Sequence, residues 1–316
     1  MTAYCPPGLL KGSGGFFVPV KNGLRRRNFA QKVTMRALAI FFCCFSLPAP
    51  AQYCEPFPPP ASTLFDARDV AVFVEKQKIT AAGLDHMVQT LAIAKSFLGT
   101  PYAVGTLEQS GPEQLVINLR ELDCWTFVET SLGITLSAKG DFQNYQDALR
   151  QLRYWGGTIS GYGSRIHYFS GWVLQAQARG LLRDLTAELG GIPYRKKIGY
   201  ISAHPDKYPR TRDAATLRAI VAAEARISRH DWFYVPKSKV AQVESRLREG
   251  DIILLTSAKP DLDIAHQGFA IRQNGRIHLL HASSLSKRVV ISAEPLARYM
   301  AGQKGQSGMM VVRINP

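Results

Sequence analysis

The chain has 316 residues, 39 Lys and Arg against 24 Asp and Glu, a net charge of +15, and 46% apolar residues. Seven of the basic residues and no acidic ones fall in the first 51, so the rest carries +8, a modest excess that does not argue for nucleic acid. Of the five cysteines only Cys54 and Cys124 lie beyond residue 51, too few for a disulfide framework.

In chain order, the basic opening runs into the apolar stretch "ALAIFFCCFSL" (Ala37 to Leu47) and then Ala49-Pro50-Ala51. That pattern predicts a secretory signal peptide over residues 1–51, cleaved before Gln52, with an apolar run too short to span a bilayer. Met35 offers an alternative start, and "RRNFAQK" an alternative twin-arginine signal. The mature protein is then exported, periplasmic or extracellular, with no stable membrane span.

Residues 52–80, opening on "EPFPPPAS", read as an extended Pro-rich arm, and residues 81–316 as one domain. Leu84, Met87, Leu91, Ala94 and Phe97 recur at helical spacing. A second helix starts near Cys124 and turns Phe127, Val128 and Leu132 inward, with Asp123 as its N-cap, and a third covers 143–155. Residues 156–250 are rich in Gly, Pro and aromatics, with one clear helix in "TRDAATLRAIVAAEARIS". From Asp251 the texture changes to "DIILLTS", "QGFAIR", "RIHLLHAS", "RVVISA" and "GMMVVRIN", aliphatic runs between turn residues. Helices first and a mostly antiparallel sheet second is an α+β pattern.

Within "HQGFAIRQNGRIHLLHASS", Asn274-Gly275 predicts a two-residue hairpin turn. It would set Gly268 opposite His281 and Ile271 opposite His278. His266 and His281 then share a face as diagonal neighbours, with room left at Gly268, while His278 points to the other. Two imidazoles side by side and a cysteine at a helix start suit a nucleophile, a base and an orienting group. The helix start is expected to favour thiolate at Cys124. His86, His204 and His230 read as structural or exposed, although "AHPDKYP" is placed to touch substrate. The three ligand types also suit a catalytic zinc, against which no Cys-x-x-Cys or His-Glu-x-x-His string is present. A non-catalytic wall-binding module is a third class, weakened by an intact triad.

"FLGTPYAVG", "DCWTFVE", "AHQGFAI" and "LLHAS" resemble the NlpC/p60 group of papain-like cell-wall cysteine peptidases. "RYWGGTISGYGSRIHYFSGW", "SAHPDKYP" and "FYVPK" resemble a narrower branch, the domain-of-unknown-function 1460 family, with N-acetylmuramoyl-L-alanine amidase activity. The resemblance implies a papain-like NlpC fold carrying an insertion over about 140–250. It implies Cys124 as nucleophile, His266 as base, His281 as third member and Tyr102 as the tyrosine flanking the cysteine, with no metal or other cofactor. The implied partners are peptidoglycan fragments, with an anhydro-muramic sugar as one form and D-glutamyl-diamino acid endopeptidase cleavage as the alternative. Within the insertion, Tyr162, Ser164, Arg165, His167 and Tyr168 form either a substrate wall, with Arg165 on a peptide carboxylate, or a packed loop with Arg165 in a structural ion pair.

Overall fold

The computed structural model describes residues 62–80, 85–137 and 140–316, all within the compact unit Phe57–Pro316. The expected signal segment, Cys54 and the Pro-rich string lie outside the described residues. The first elements are β1 (Thr63–Leu64), α1 (Ala67–Gln77), α2 (His86–Ser96), β2 (Leu115–Val116), α3 (Cys124–Leu136) and α4 (Phe142–Arg153). There follow α5 (Phe169–Ala178), β3 (Leu182–Asp184), β4 (Ile192–Pro193), α6 (Ala214–Ser228), β5 (Phe233–Pro236) and α7 (Val240–Val243). The C-terminal part comprises β6 (Ile252–Ser257), β7 (Ile264–Gln273), β8 (Arg276–Ser283), β9 (Arg288–Ile291), α8 (Leu296–Ala301) and β10 (Gln306–Ile314).

The main sheet runs β4-β5-β10-β6-β7-β8-β9, with β3 joining the far end of β10, and its ladders are antiparallel. Its central strands bury both faces by simple alternation. Ile252, Leu254, Phe269, Leu280, Met310 and Val312 join the helical core on one side. Ile253, Leu255, Ala270, Leu279, Met309 and Val311 face a second cluster that includes Val240, Val243, Leu296 and Met300 from the short helices α7 and α8. The helices-then-antiparallel-sheet expectation is met.

The helix α3 is enclosed on almost every side, with residues 126–135 all buried. Such a helix cannot show one clean apolar stripe, and its polar groups need partners. Glu129 receives Arg153 Nε at 2.8 Å and Nη2 at 2.6 Å from α4, a buried pair that fixes the two helices' register.

One expectation is corrected. The extended arm of 52–80 is helical over Ala67–Gln77, capped by Asp66. The inward face of α1 carries Asp69, Phe73 and Lys76, two of them charged, so no apolar period marks it. Phe73 nevertheless stacks on Tyr145, with ring centroids 5.2 Å apart. Residues 140–250 supply α4, α5, α6 and three strands of the main sheet. Their Leu149, Trp172, Val173 and Ile227 share one core with Phe127 and Leu132.

Candidate active site

Cys124 is the first residue of α3. Asp123 caps the helix: its carboxylate accepts Thr126 N–H at 2.7 Å, and its own N–H donates to Thr126 Oγ1 at 2.9 Å. The preceding turn is tied to 101–103, since Leu122 N–H donates to the Pro101 carbonyl at 2.9 Å and Ala103 N–H to that of Leu122 at 3.3 Å. The thiol is therefore held by backbone on both sides. It is free and half-buried, and the Gln267 backbone N–H of β7 points at its sulfur.

Burial, and after it the charge of Asp123, push the Cys124 thiol up to about 12, against the N–H groups of Gln267, Cys124 and Trp125. The direction is opposite to that expected from the helix start. Half a unit of helix-end charge does not outweigh desolvation beside a carboxylate. The Tyr102 and Tyr299 hydroxyls are both raised, first by burial and then by Cys124.

The hairpin has the expected register. Asn274 and Gly275 take φ of 48° and 77°, and Ile271 pairs with His278 and Phe269 with Leu280. His266 Nε2 lies 2.6 Å from His281 Nδ1, with ring centroids 4.8 Å apart. His278 points away, and its Nδ1–H donates to the Ser292 carbonyl at 2.7 Å. Burial, and for His266 also the neighbouring His281, hold the two imidazoles down to about 3 and about 4. The His281 ring also meets Tyr299 at 5.4 Å, the same tyrosine that feels Cys124. The Gln267 N–H thus sets the thiol against β7 at the residue after His266, and Tyr299 touches the His281 ring and also feels Cys124.

Gly268 is what lets β7 and β8 approach here. A Cβ on it would press on the Leu280 carbonyl oxygen and lie 2.9 Å from His281 Cβ. Gly268→Ala is expected to destabilise by about 1–3 kcal/mol and to lower turnover per folded molecule by displacing His281. Denaturant unfolding with a parallel rate assay checks this, and an unchanged rate would detach Gly268 from the site.

The 162–168 segment uses its polar atoms internally. Arg165 pairs with Glu108, lies 3.5 Å from Glu113, and donates to the Leu107 carbonyl at 2.9 Å. Tyr168 donates to Glu224 at 2.6 Å and accepts Ile201 N–H at 2.7 Å. His167 Nε2–H donates to the Tyr162 carbonyl at 2.9 Å, and burial with nearby Arg165 holds its ring down to about 3. Ser164 Oγ donates to Gly161 at 2.6 Å, and the Tyr162 ring lies under Arg165 and Arg210. This is the packed-loop arrangement, with the Arg165 fork turned onto Glu108 and Glu113. Two neighbours of the thiol had no sequence signal: Gln267 acts through its backbone, and Tyr299 sits on a six-residue helix 175 positions away. Among the described residues no group of three His, Cys, Asp or Glu is arranged to hold a metal ion, and no helix is long and apolar enough to cross a membrane.

The AmiA-like family model, described as N-acetylmuramoyl-L-alanine amidase-like, matches residues 92–309. A crystal structure of an N-acetylmuramoyl-L-alanine amidase from Bacteroides uniformis is 35% identical, with a TM-score of 0.69 over 73% of this chain and 99% of its own. A candidate xylanase from Bacteroides fragilis is 36% identical, with a TM-score of 0.66 over 70% of this chain and 98% of its own. A Legionella pneumophila protein of the domain-of-unknown-function 1460 family shares the fold at 21% identity, with a TM-score of 0.62 over 79% of this chain and 95% of its own. No curated protein matches. With more than half of its length matched by the family model, the chain belongs to the N-acetylmuramoyl-L-alanine amidase-like family.

Proposed function

We propose that this protein is a cysteine amidase of the papain-like NlpC/p60 kind, cutting the lactyl amide between N-acetylmuramic acid, its anhydro form included, and L-alanine in peptidoglycan fragments. The observation that carries the reading is the half-buried thiol at the head of α3, beside a strand that brings His266 onto His281. With His266 Nε2 occupied by His281, Nδ1 is the nitrogen left to take the thiol proton. That requires Nε2–H to donate to His281 Nδ1, so His281 selects the tautomer. Proton transfer to Nδ1 accompanies attack of sulfur on the lactyl carbonyl, the amide N–H groups at the head of α3 face the developing oxyanion, and His266 returns the proton to the leaving amine of L-alanine. Water then hydrolyses the thioester, with His266 again as base.

A peptidoglycan substrate agrees with export through the expected signal segment and a periplasmic or extracellular location. A glycoside hydrolase would need two carboxyl groups facing each other across the bond, whereas the carboxylate next to Cys124, that of Asp123, is engaged in capping α3.

Incubation with a muramoyl tetrapeptide, and with the same tetrapeptide lacking sugar, separates the amidase from the endopeptidase. Mass spectrometry is expected to show free sugar plus intact tetrapeptide from the first and no reaction with the second. Release of an L-alanyl-D-glutamate dipeptide from either would replace the amidase reading by the endopeptidase.

A further inference from the structure

Two lysines, Lys207 and Lys259, reach the same hydroxyl. Lys207 Nζ lies 3.0 Å and Lys259 Nζ 3.3 Å from Tyr200 Oη, and both ammoniums stand over the Tyr200 ring, 5.3 and 4.8 Å from its centroid. Packing over an aromatic face accounts for one cation. It does not account for two like charges directed at one oxygen. Both lysines are exposed, and among the described residues neither has a carboxylate within ion-pair distance.

The arrangement is built from below. Lys196 Nζ donates to the carbonyls of Ser257 at 2.7 Å, Lys259 at 2.6 Å and Leu262 at 3.1 Å, which fixes the loop that bears Lys259. Gly199 and Tyr200 N–H groups both donate to Asp261 O, at 3.0 and 3.2 Å, joining the Tyr200 turn to that same loop. His204 closes the other side, its Nδ1–H donating to the Tyr200 carbonyl at 2.6 Å and its ring 4.2 Å from the Tyr200 ring. Tyr200 accepts from both ammoniums, so its own O–H remains to donate, and each ammonium keeps further N–H donors. The two lysines hold that hydroxyl below its ordinary range. Three donors and two positive charges converge at the Tyr200 hydroxyl, with both lysines exposed above a largely buried ring.

We propose that Tyr200, Lys207 and Lys259 form a subsite for a carboxylate of the peptide part of the substrate. The proposal rests on the peptidoglycan reading above, since the stem peptide supplies the anion. The loop that carries Lys259 leads directly into β7, and His266 follows Lys259 by seven residues, a separation of at most about 25 Å in extended chain. A tetrapeptide whose first amide lies at Cys124 has carboxylates on its later residues, and a subsite at that range engages them. The subsite supplies the anion recognition that Arg165, already paired, does not.

The test measures binding by calorimetry with the Cys124→Ala protein, so that turnover does not enter. The probes are a muramoyl tetrapeptide with free carboxylates and the same compound with its carboxylates amidated. The free acid is expected to bind about 10- to 100-fold more tightly. Lys207→Met combined with Lys259→Met should remove that difference without changing the affinity for the amidated probe, and Lys259→Arg alone should retain most of it. In the protein with Cys124 intact, the double substitution should raise KM with kcat nearly unchanged. Equal binding of both probes, unaffected by the lysines, overturns the subsite and leaves the amidase reading standing. Binding of neither probe overturns both.

Discussion

Cys124→Ala should reduce hydrolysis of a muropeptide by a factor on the order of 10⁴ or more while leaving the fold unchanged. The rate prediction follows from the chemistry assigned to the site: without sulfur there is no covalent intermediate, and His266 has no proton to accept. The fold prediction follows from the surroundings of the thiol. The head of α3 is held by the Asp123–Thr126 capping box and by the 101–103 backbone, none of which involves the side chain of Cys124. The sulfur receives the Gln267 N–H, and alanine loses that contact but is a good helix former at the first position. The stability change should stay within about 1 kcal/mol. Circular dichroism, a melting curve and product formation on one preparation decide it. A rate near that of the unsubstituted protein would make Cys124 a structural thiol and shift attention to some other nucleophile.

What the sequence made legible was short-range. Asn274-Gly275 demands positive φ at both positions, and that single turn dictated the pairing of Ile271 with His278 and hence the meeting of His266 with His281. Strands β6 to β10 were readable because β-branched and aliphatic runs stand between turn residues, and α3 because Asp123 stands before it as a cap. The helix α1 was hidden because it turns Asp69 and Lys76 inward. Strands β3, β4 and β5 were hidden because they are two to four residues long and exist only through pairing with β10 or with each other. The upward shift of the thiol was hidden for the same reason. A helix end is visible in sequence, whereas burial and the neighbouring Asp123 carboxylate act through the assembled fold. The same holds for Lys207 and Lys259, 52 positions apart, whose convergence on Tyr200 depends on the Lys196 clamp.

The three hairpin-borne histidines should divide by face. His266→Ala is expected to cost about 10³- to 10⁴-fold in kcat/KM, and His281→Ala about 10- to 100-fold, because the second removes the tautomer-fixing partner and leaves the base. His278→Ala breaks the bond to the Ser292 carbonyl and so lowers stability, yet its rate per folded molecule should stay close to that of the unsubstituted protein. Stability against pH supplies a check that does not depend on knowing the substrate. Burial holds His266 down to about 3 and His281 to about 4, against an ordinary value of 6.5, so between those limits the unfolded chain binds more protons than the folded one. The contribution of each neutral imidazole is therefore fully present above about pH 6.5 and is lost as pH falls toward its folded value. His266→Ala combined with His281→Ala should flatten the decline in melting temperature between pH 7 and 4. Removing His281 also takes away a charge that depresses His266, so the acid limb of the His281→Ala rate profile should move to higher pH. An acid limb that stays in place, together with an unchanged slope in the double variant, would show that the two rings do not act as one buried neutral pair.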